Sequence, residues 1–153
     1  MYKRQVIILD IDSNAPVGSV SDTAGLTWQE RAVASVNGSF LYEYYAIAPN
    51  ELSADAITVN FTRWTSSVLN AFSIVGANTS SPFDTNASLP KTSTNSTVSA
   101  TTSNANDLIF AAYNSYGTAT PSAGSGWTAI SAPSGDYYLS EYETVSSLSL
   151  IHI

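Results

Sequence analysis

The chain is poor in the residues on which most catalytic and metal-binding sites depend. Its 153 residues include no cysteine, which excludes disulfides, thiolate metal sites and a thiol nucleophile. The single histidine, His152, lies beside the C-terminal end, so the many serines have no suitable partner base for nucleophilic catalysis. We therefore expect a protein that is not an enzyme and that carries no organic cofactor.

Charge is equally scarce. Asp, Glu, Lys and Arg make up 11% of the chain, against about 25% in ordinary soluble domains, and the net charge is −7. An acidic chain without a basic patch repels phosphate backbones and anionic lipids. The apolar runs, such as residues 6–9 and 108–113, are too short to span a membrane. We expect neither a nucleic-acid partner nor membrane insertion.

The residues that replace charge favour β-structure, because Thr, Val, Ile and Tyr suit pleated, half-buried surfaces. Strand-like runs bounded by turn residues lie at 6–12, 26–33, 39–48, 56–63, 67–75, 96–102, 107–114, 127–131 and 137–145. No helix separates them, so the pairing is predicted to be antiparallel. Asn37-Gly38 is a hairpin signal, and residues 13–25, 76–95 and 115–126 are predicted to be loops.

An internal repeat organises these runs. Ala24-Gly25-Leu26-Thr27-Trp28 is echoed by the segment 123–127, and each copy is followed by an L-x-E-Y motif, at 41–44 and at 139–142. An apolar strand precedes each copy. Two such units predict an antiparallel β-sandwich of jelly-roll type with two pseudo-repeated halves, of which the second is cut short.

Both ends of the chain look foreign to this pattern. Residues 1–5 and 147–153 resemble translated adapter read-through of the kind found at the ends of metagenomic reading frames, and we exclude them from the fold. The prediction is one β-sandwich domain over residues 6–146, incomplete at both ends. Its unpaired strand edges predict edge-to-edge association.

Several motifs together carry a resemblance to a known group of proteins. They are V-S-D-T-A-G-L-T-W at 20–28, L-Y-E-Y-Y-A at 41–46, G-A-N-T-S-S-P-F-D at 76–84, T-T-S-N-A-N-D-L-I-F at 101–110 and G-S-G-W-T at 124–128. On these motifs, residues 6–146 resemble uncharacterised jelly-roll, concanavalin-like modules of secreted or cell-surface bacterial and archaeal proteins. The resemblance implies an extracellular or cell-surface location, neighbouring β-modules in the parent chain, and no reaction.

Four oxygen-bearing side chains near the first strand form a candidate calcium site: Asp10, Asp12, Asn14 and Asp22. The spacing begins like an EF-hand loop, but Ala15 stands where glycine is required and Ser21 where the bidentate glutamate belongs. An EF-hand is therefore rejected. Calcium at a sandwich edge remains one interpretation, and solvated carboxylates leading into a loop are the favoured one.

Glu43 and Glu141 are the two carboxylates that a glycosidase would need. They occupy equivalent positions of the repeat, which favours a shared structural role. An enzyme acting on glycans is therefore the least favoured of three hypotheses.

Aromatic residues supply the remaining candidate site. Tyrosine or tryptophan faces can stack on the apolar faces of sugars, and the selected ligand-binding residues are Tyr42, Tyr44, Tyr137 and Tyr138. The alternative is that these rings fill the core, as the repetition of Trp28 at Trp127 indicates for that pair. The favoured function is a non-catalytic adhesion or carbohydrate-binding module with glycans or other surface proteins as partners. A structural spacer of a large surface or fibre protein is the alternative.

Overall fold

The computed structural model describes residues 4–95, 97–115, 120–131, 137–146 and 150–152. Within these ranges there is no helix, and the regular structure consists of antiparallel strands. The strands are β1 (Gln5–Ser13), β2 (Val17–Asp22), β3 (Gln29–Val36), β4 (Ser39–Ala48), β5 (Ile57–Phe61), β6 (Ser67–Val75), β7 (Ser99–Thr101), β8 (Leu108–Asn114), β9 (Thr128–Ser131), β10 (Tyr138–Thr144) and β11 (Leu150–His152). The predicted all-β, antiparallel class is confirmed.

The chain divides into two compact units, Met1–Pro82 and Phe83–Ile153, called unit 1 and unit 2. Unit 1 contains a four-stranded sheet in the order β3-β4-β1-β6 and a two-stranded sheet of β2 and β5. Unit 2 contains a three-stranded sheet in the order β8-β10-β9 and a two-stranded sheet of β7 and β11. The single domain over 6–146 stays a prediction.

The core of unit 1 lies between its two sheets. Leu9, Ile11 and Tyr42 are buried on one face of the larger sheet, because alternate residues of a strand point to the same side. Half-buried side chains of the small sheet pack against them, namely Val17, Val20, Ile57, Val59 and Phe61. Two sheets that share one apolar layer form a β-sandwich. The jelly-roll connectivity stays a prediction.

The sequence repeat is also a repeat of strand order. In unit 1, β4 lies between the apolar strand β1 and the strand β3 that follows Trp28. In unit 2, β10 likewise lies between β8 and the strand β9 that follows Trp127. Each tryptophan packs against its own unit's apolar cluster, as predicted for the pair.

The hairpin predicted at Asn37-Gly38 is present in the structure, whereas two short strands, β2 and β11, lie where no strand was predicted. Asn37 and Gly38 join β3 to β4 with φ angles of 51° and 83°, the left-handed pair that a two-residue type I′ turn requires. Strand β2 lies inside the segment predicted to be a loop. Strand β11 lies inside the segment assigned to a foreign tail and pairs with β7.

Candidate binding site

The structure places two of the four predicted ligand-binding tyrosines in apolar cores. Tyr42 and Tyr138 are 7% and 1% exposed, so neither ring offers a face to a ligand, which corrects their assignment. Tyr44 is half-buried, with its ring 6.0 Å from that of Tyr42. Tyr137 is 46% exposed and is the only one of the four with a largely accessible ring.

Tyr44 is further tied to the neighbouring strand. Its hydroxyl donates to Glu30 Oε2 at 3.0 Å. Burial, together with this hydrogen bond to a carboxylate, raises the pKa of Tyr44 to about 12. The phenol therefore remains a neutral donor, and its hydrogen bond to Glu30 links β4 to β3.

The four residues of the predicted calcium site have different surroundings. Asp10 is completely buried and lies opposite Glu43 of β4 and Asn70 of β6. Asp12 lies two residues along the same strand and is half-buried, whereas Asn14 is exposed beyond the strand end. In the described ranges, no group of three or more His, Cys, Asp or Glu side chains could hold a metal ion. The calcium site stays an untested prediction.

Asp22 has a structural use at the end of β2. Its Oδ1 accepts the backbone N–H of Leu26 at 3.1 Å, and its Oδ2 accepts the indole N–H of Trp28. Burial alone would raise the pKa of Asp22, but these and neighbouring backbone hydrogen bonds hold it below its usual value. The carboxylate thus fixes the A-G-L-T-W segment that leads from β2 into β3.

Glu43 and Glu141 are likewise bound within their own units. Arg31 Nη1 donates to Glu43 Oε1 at 2.8 Å, while burial raises the pKa of Glu43 despite that guanidinium. Glu141 is buried in unit 2, and its Oε2 accepts the backbone N–H of Gly124 at 3.0 Å. Arg31 lies on β3, the strand that follows Trp28, and Gly124 lies in the segment that leads to Trp127. The shared structural role stays a prediction.

A carboxyl pair in unit 2 was not foreseen from the sequence. Asp84 accepts the backbone N–H groups of Ser103 and Asn86, each at 2.6 Å, and the hydroxyl of Ser103. Burial would raise the pKa of Asp84, but these hydrogen bonds and one from Asp107 lower it. Burial and the contact with Asp84 raise the pKa of Asp107. The two carboxyls therefore shift in opposite directions, with the pKa of Asp84 lowered and that of Asp107 raised.

The most accessible large apolar side chain in the described ranges is Trp64, which is 91% exposed. It lies in the connection between β5 and β6, outside both strands. The other two tryptophans are half-buried or buried, so Trp64 alone presents its indole to solvent. Tryptophan is highly buried on average, so we take this exposed indole as the candidate contact residue.

The loop that carries Trp64 is braced against the connection between β1 and β2. Thr65 Oγ1 accepts the backbone N–H of Asn14 at 3.0 Å, and Arg63 Nη2 donates to the carbonyl of Asn14 at 2.9 Å. Thr62 donates its backbone N–H to the carbonyl of Pro16 at 3.0 Å. Hydrogen bonds on both sides of Trp64 therefore hold the loop that presents the indole.

The chain neighbours of Trp64 are polar and carry little charge. Segment 62–66 contains three hydroxyl residues, one arginine and no carboxylate. Sequence reasoning counted Trp64 among the aromatics but did not select it. The available signal was its position, one residue beyond the predicted strand 56–63 and outside the repeat.

Comparisons with known proteins give no relative. No protein-family model matches the chain, and neither a curated protein nor a solved structure matches it. In the part of the chain that the structure describes, no helix has the length and apolar character needed to cross a membrane.

Proposed function

We propose that the chain is a non-catalytic carbohydrate-binding module in which Trp64 stacks on a sugar ring. The supporting observation is the 91% exposed indole on a loop braced by hydrogen bonds on both sides. An aromatic ring brings a large contact area with few rotatable bonds. A loop that is already ordered loses little entropy when a ligand binds, so more of the contact energy is retained as affinity.

The chemistry around the indole favours a neutral glycan. The hydroxyl of Ser66 and the side-chain amide of Asn14 can donate to and accept from sugar hydroxyls. The Thr62 hydroxyl donates to the carbonyl of Pro16 at 3.3 Å and can still accept a hydrogen bond from a sugar. The net charge of −7 disfavours acidic polysaccharides, because like charges repel at the surface. We therefore expect neutral oligosaccharides to bind more tightly than uronic acid polymers.

The proposed setting is a secreted or cell-surface protein with neighbouring β-modules. It is supported by the low charge content and by a surface rich in Ser, Thr and Asn, both typical of extracellular β-proteins. Calcium is not required for stacking on Trp64, so we expect binding to persist in a chelator.

A glycan array with the purified chain tests this function, with Trp64→Ala as the decisive variant. Removing the stacking face should weaken the best neutral ligand at least about tenfold, or ~1.4 kcal/mol. Val33→Ala, at an exposed apolar position of β3 outside every candidate site, is the control and should leave the affinity within about twofold. Because both side chains are solvent-exposed, both variants should unfold near the wild-type midpoint.

A structural spacer is the second candidate. It is supported by the repeated strand order and by carboxylates whose contacts lie within the chain, such as Asp22 and Glu141. Failure of the chain to bind any neutral glycan, in calcium or in chelator, would overturn the first proposal in favour of this one.

A further inference from the structure

Strand β6 forms one edge of the four-stranded sheet of unit 1. Its nine residues pair with β1 alone, from Ser67 opposite Ser13 to Val75 opposite Gln5, and the register is continuous. An edge strand presents a row of backbone donors and acceptors on its outer side, where another strand can add to the sheet.

The direction of the backbone groups follows from one hydrogen bond beyond the strand end. Gly76 donates its N–H to the carbonyl of Arg4, so even-numbered residues of this segment bond to β1. Backbone groups of an antiparallel strand alternate in direction, so the odd-numbered residues point outward. They are Ser67, Leu69, Ala71, Ser73 and Val75. Among the residues described, no hydrogen bond reaches these outward groups.

The two edges of this sheet differ in their protection against pairing. Strand β3, at the other edge, carries Glu30 and Arg31, and its register with β4 shifts between Glu30 and Ala32. Strand β6 has no charged residue, proline, glycine or bulge. Charge and bulges are the usual devices that keep edge strands from associating. The edge at β6 lacks them over nine residues.

Exposed apolar side chains accompany the open edge. Leu69 and Val75 are 50% and 53% exposed and lie on the same face of the strand. Isolated exposed apolar residues are ordinary. Here Leu69 and Val75 lie on the strand whose backbone groups point outward. A strand added at this edge would therefore cover these two side chains and the backbone groups together.

We propose that two copies of the chain pair through β6, antiparallel, about a twofold axis at Ala71. In this register Ala71 faces its own equivalent, Leu69 faces Ser73 of the second copy, and Ser67 faces Val75. Leu69 is then the diagonal neighbour of Val75 across the axis, within reach of apolar contact. The odd residues face each other as hydrogen-bonded pairs, and the result is one continuous eight-stranded sheet.

A second copy fits this edge because β6 is complementary to itself. Both strands are uncharged, so the net charge of each chain is not concentrated at the contact. A single strand pair buries less than the roughly 1,600 Å² of a standard stable interface. The dimer should therefore be weak, and its population should depend on concentration.

The absence of cysteine makes a single-cysteine trap the sharpest test. Ala71→Cys places two thiols across the axis with Cα atoms about 5.5 Å apart, within the span of a disulfide. The control is Ser35→Cys, at an exposed position of the protected edge strand β3. Under mild oxidation, Ala71→Cys should form covalent dimers at least about tenfold faster, because only its thiols are held at bonding distance.

Sedimentation of cysteine-free variants provides an independent readout. Ala71→Lys places like charges directly opposite each other and should abolish the dimer, whereas Ser35→Lys, with the same added charge, should dimerise like the wild type. Equal crosslinking rates for the two cysteine variants, or a wild-type chain that stays monomeric at all soluble concentrations, would overturn the proposal. Neither result bears on glycan binding at Trp64.

Discussion

At the scale of single residues, the carboxyl pair of unit 2 makes stability depend on pH in two opposite ways. The raised pKa of Asp107 means that the folded state binds its proton more tightly than the unfolded state. That contribution is complete below the ordinary carboxyl pKa and is lost as the pH rises through the raised value. The lowered pKa of Asp84 gives a contribution that is present above the ordinary value and is lost as the pH falls through the lowered one.

Asparagine substitutions should therefore move the unfolding midpoint in opposite directions at pH 7. Asp107→Asn supplies a permanent donor to Asp84 and removes one negative charge, so we expect a gain below about 1 kcal/mol, since solvent screens the pair. Asp84→Asn removes a carboxylate that accepts from Ser103 and Asn86, so we expect a loss of about 1–3 kcal/mol. Calorimetry between pH 3 and pH 8, about the range over which carboxyls ionise, measures both. Equal shifts of one sign would contradict the opposed pKa shifts of the two carboxyls.

The tyrosine prediction shows what residue types can and cannot reveal. Alternation along β4 places Tyr42 and Tyr44 on one face, which can be predicted from the sequence alone. It does not say which face meets the small sheet, because β2 and β5 pair across a long stretch of chain. Trp64 lies outside any alternating pattern, so its exposure could not be predicted from periodicity. The loop that presents it is held by hydrogen bonds to Asn14 and Pro16, about fifty residues earlier in the chain.

At the scale of elements, the connection from β2 to β3 depends on how carboxylate oxygens are shared. Asp22 uses both oxygens, one for Leu26 and one for Trp28. Asp55 uses only Oδ1, which accepts the hydroxyl of Thr23 at 2.7 Å and the N–H of Ala24 at 2.9 Å. Both residues hold the same segment, but only Asp22 needs two acceptors.

Asparagine at these two positions should have unequal effects. Asp22→Asn turns one acceptor into a donor that faces another donor, which should cost about 1–2 kcal/mol of unfolding free energy. Asp55→Asn keeps an oxygen for both of its bonds, and we expect a loss below about 0.5 kcal/mol. Urea unfolding followed by tryptophan fluorescence measures the difference. A larger loss for Asp55→Asn than for Asp22→Asn would refute this account of the loop.

Strands with strong local signals were predictable. The observed bounds of β4 and β6 are those of the predicted runs 39–48 and 67–75, because alternating apolar residues and clear turns frame them. Strand β2 was missed because its Gly18, Ser19 and Ser21 are typical of loops, and its pairing with β5 arises only in the folded chain. Local propensity does not contain that pairing.

At the scale of the whole molecule, the repeated strand order accounts for the paired motifs more simply than a shared active site does. Trp28 and Trp127 fill the cores of their own units, and Glu43 and Glu141 have contacts inside theirs. The feature outside the repeat is Trp64. The repeated strand order does not explain Trp64, and its indole is exposed although tryptophan is usually highly buried. We therefore take Trp64 as the candidate functional residue.

The indole N–H signals of the three tryptophans test this central claim most directly. Trp28 is hydrogen-bonded to Asp22, Trp127 is buried and Trp64 is exposed, so a ¹⁵N-labelled chain should show three distinguishable environments. The probes are oligosaccharides of neutral glucan, xylan and mannan, added in turn and followed by oligogalacturonate. We predict that one neutral series shifts the Trp64 signal in a saturable manner, while the signals of Trp28 and Trp127 stay in place. A saturating shift at Trp28 or Trp127 with Trp64 unmoved, or no shift with any neutral series, would contradict the account.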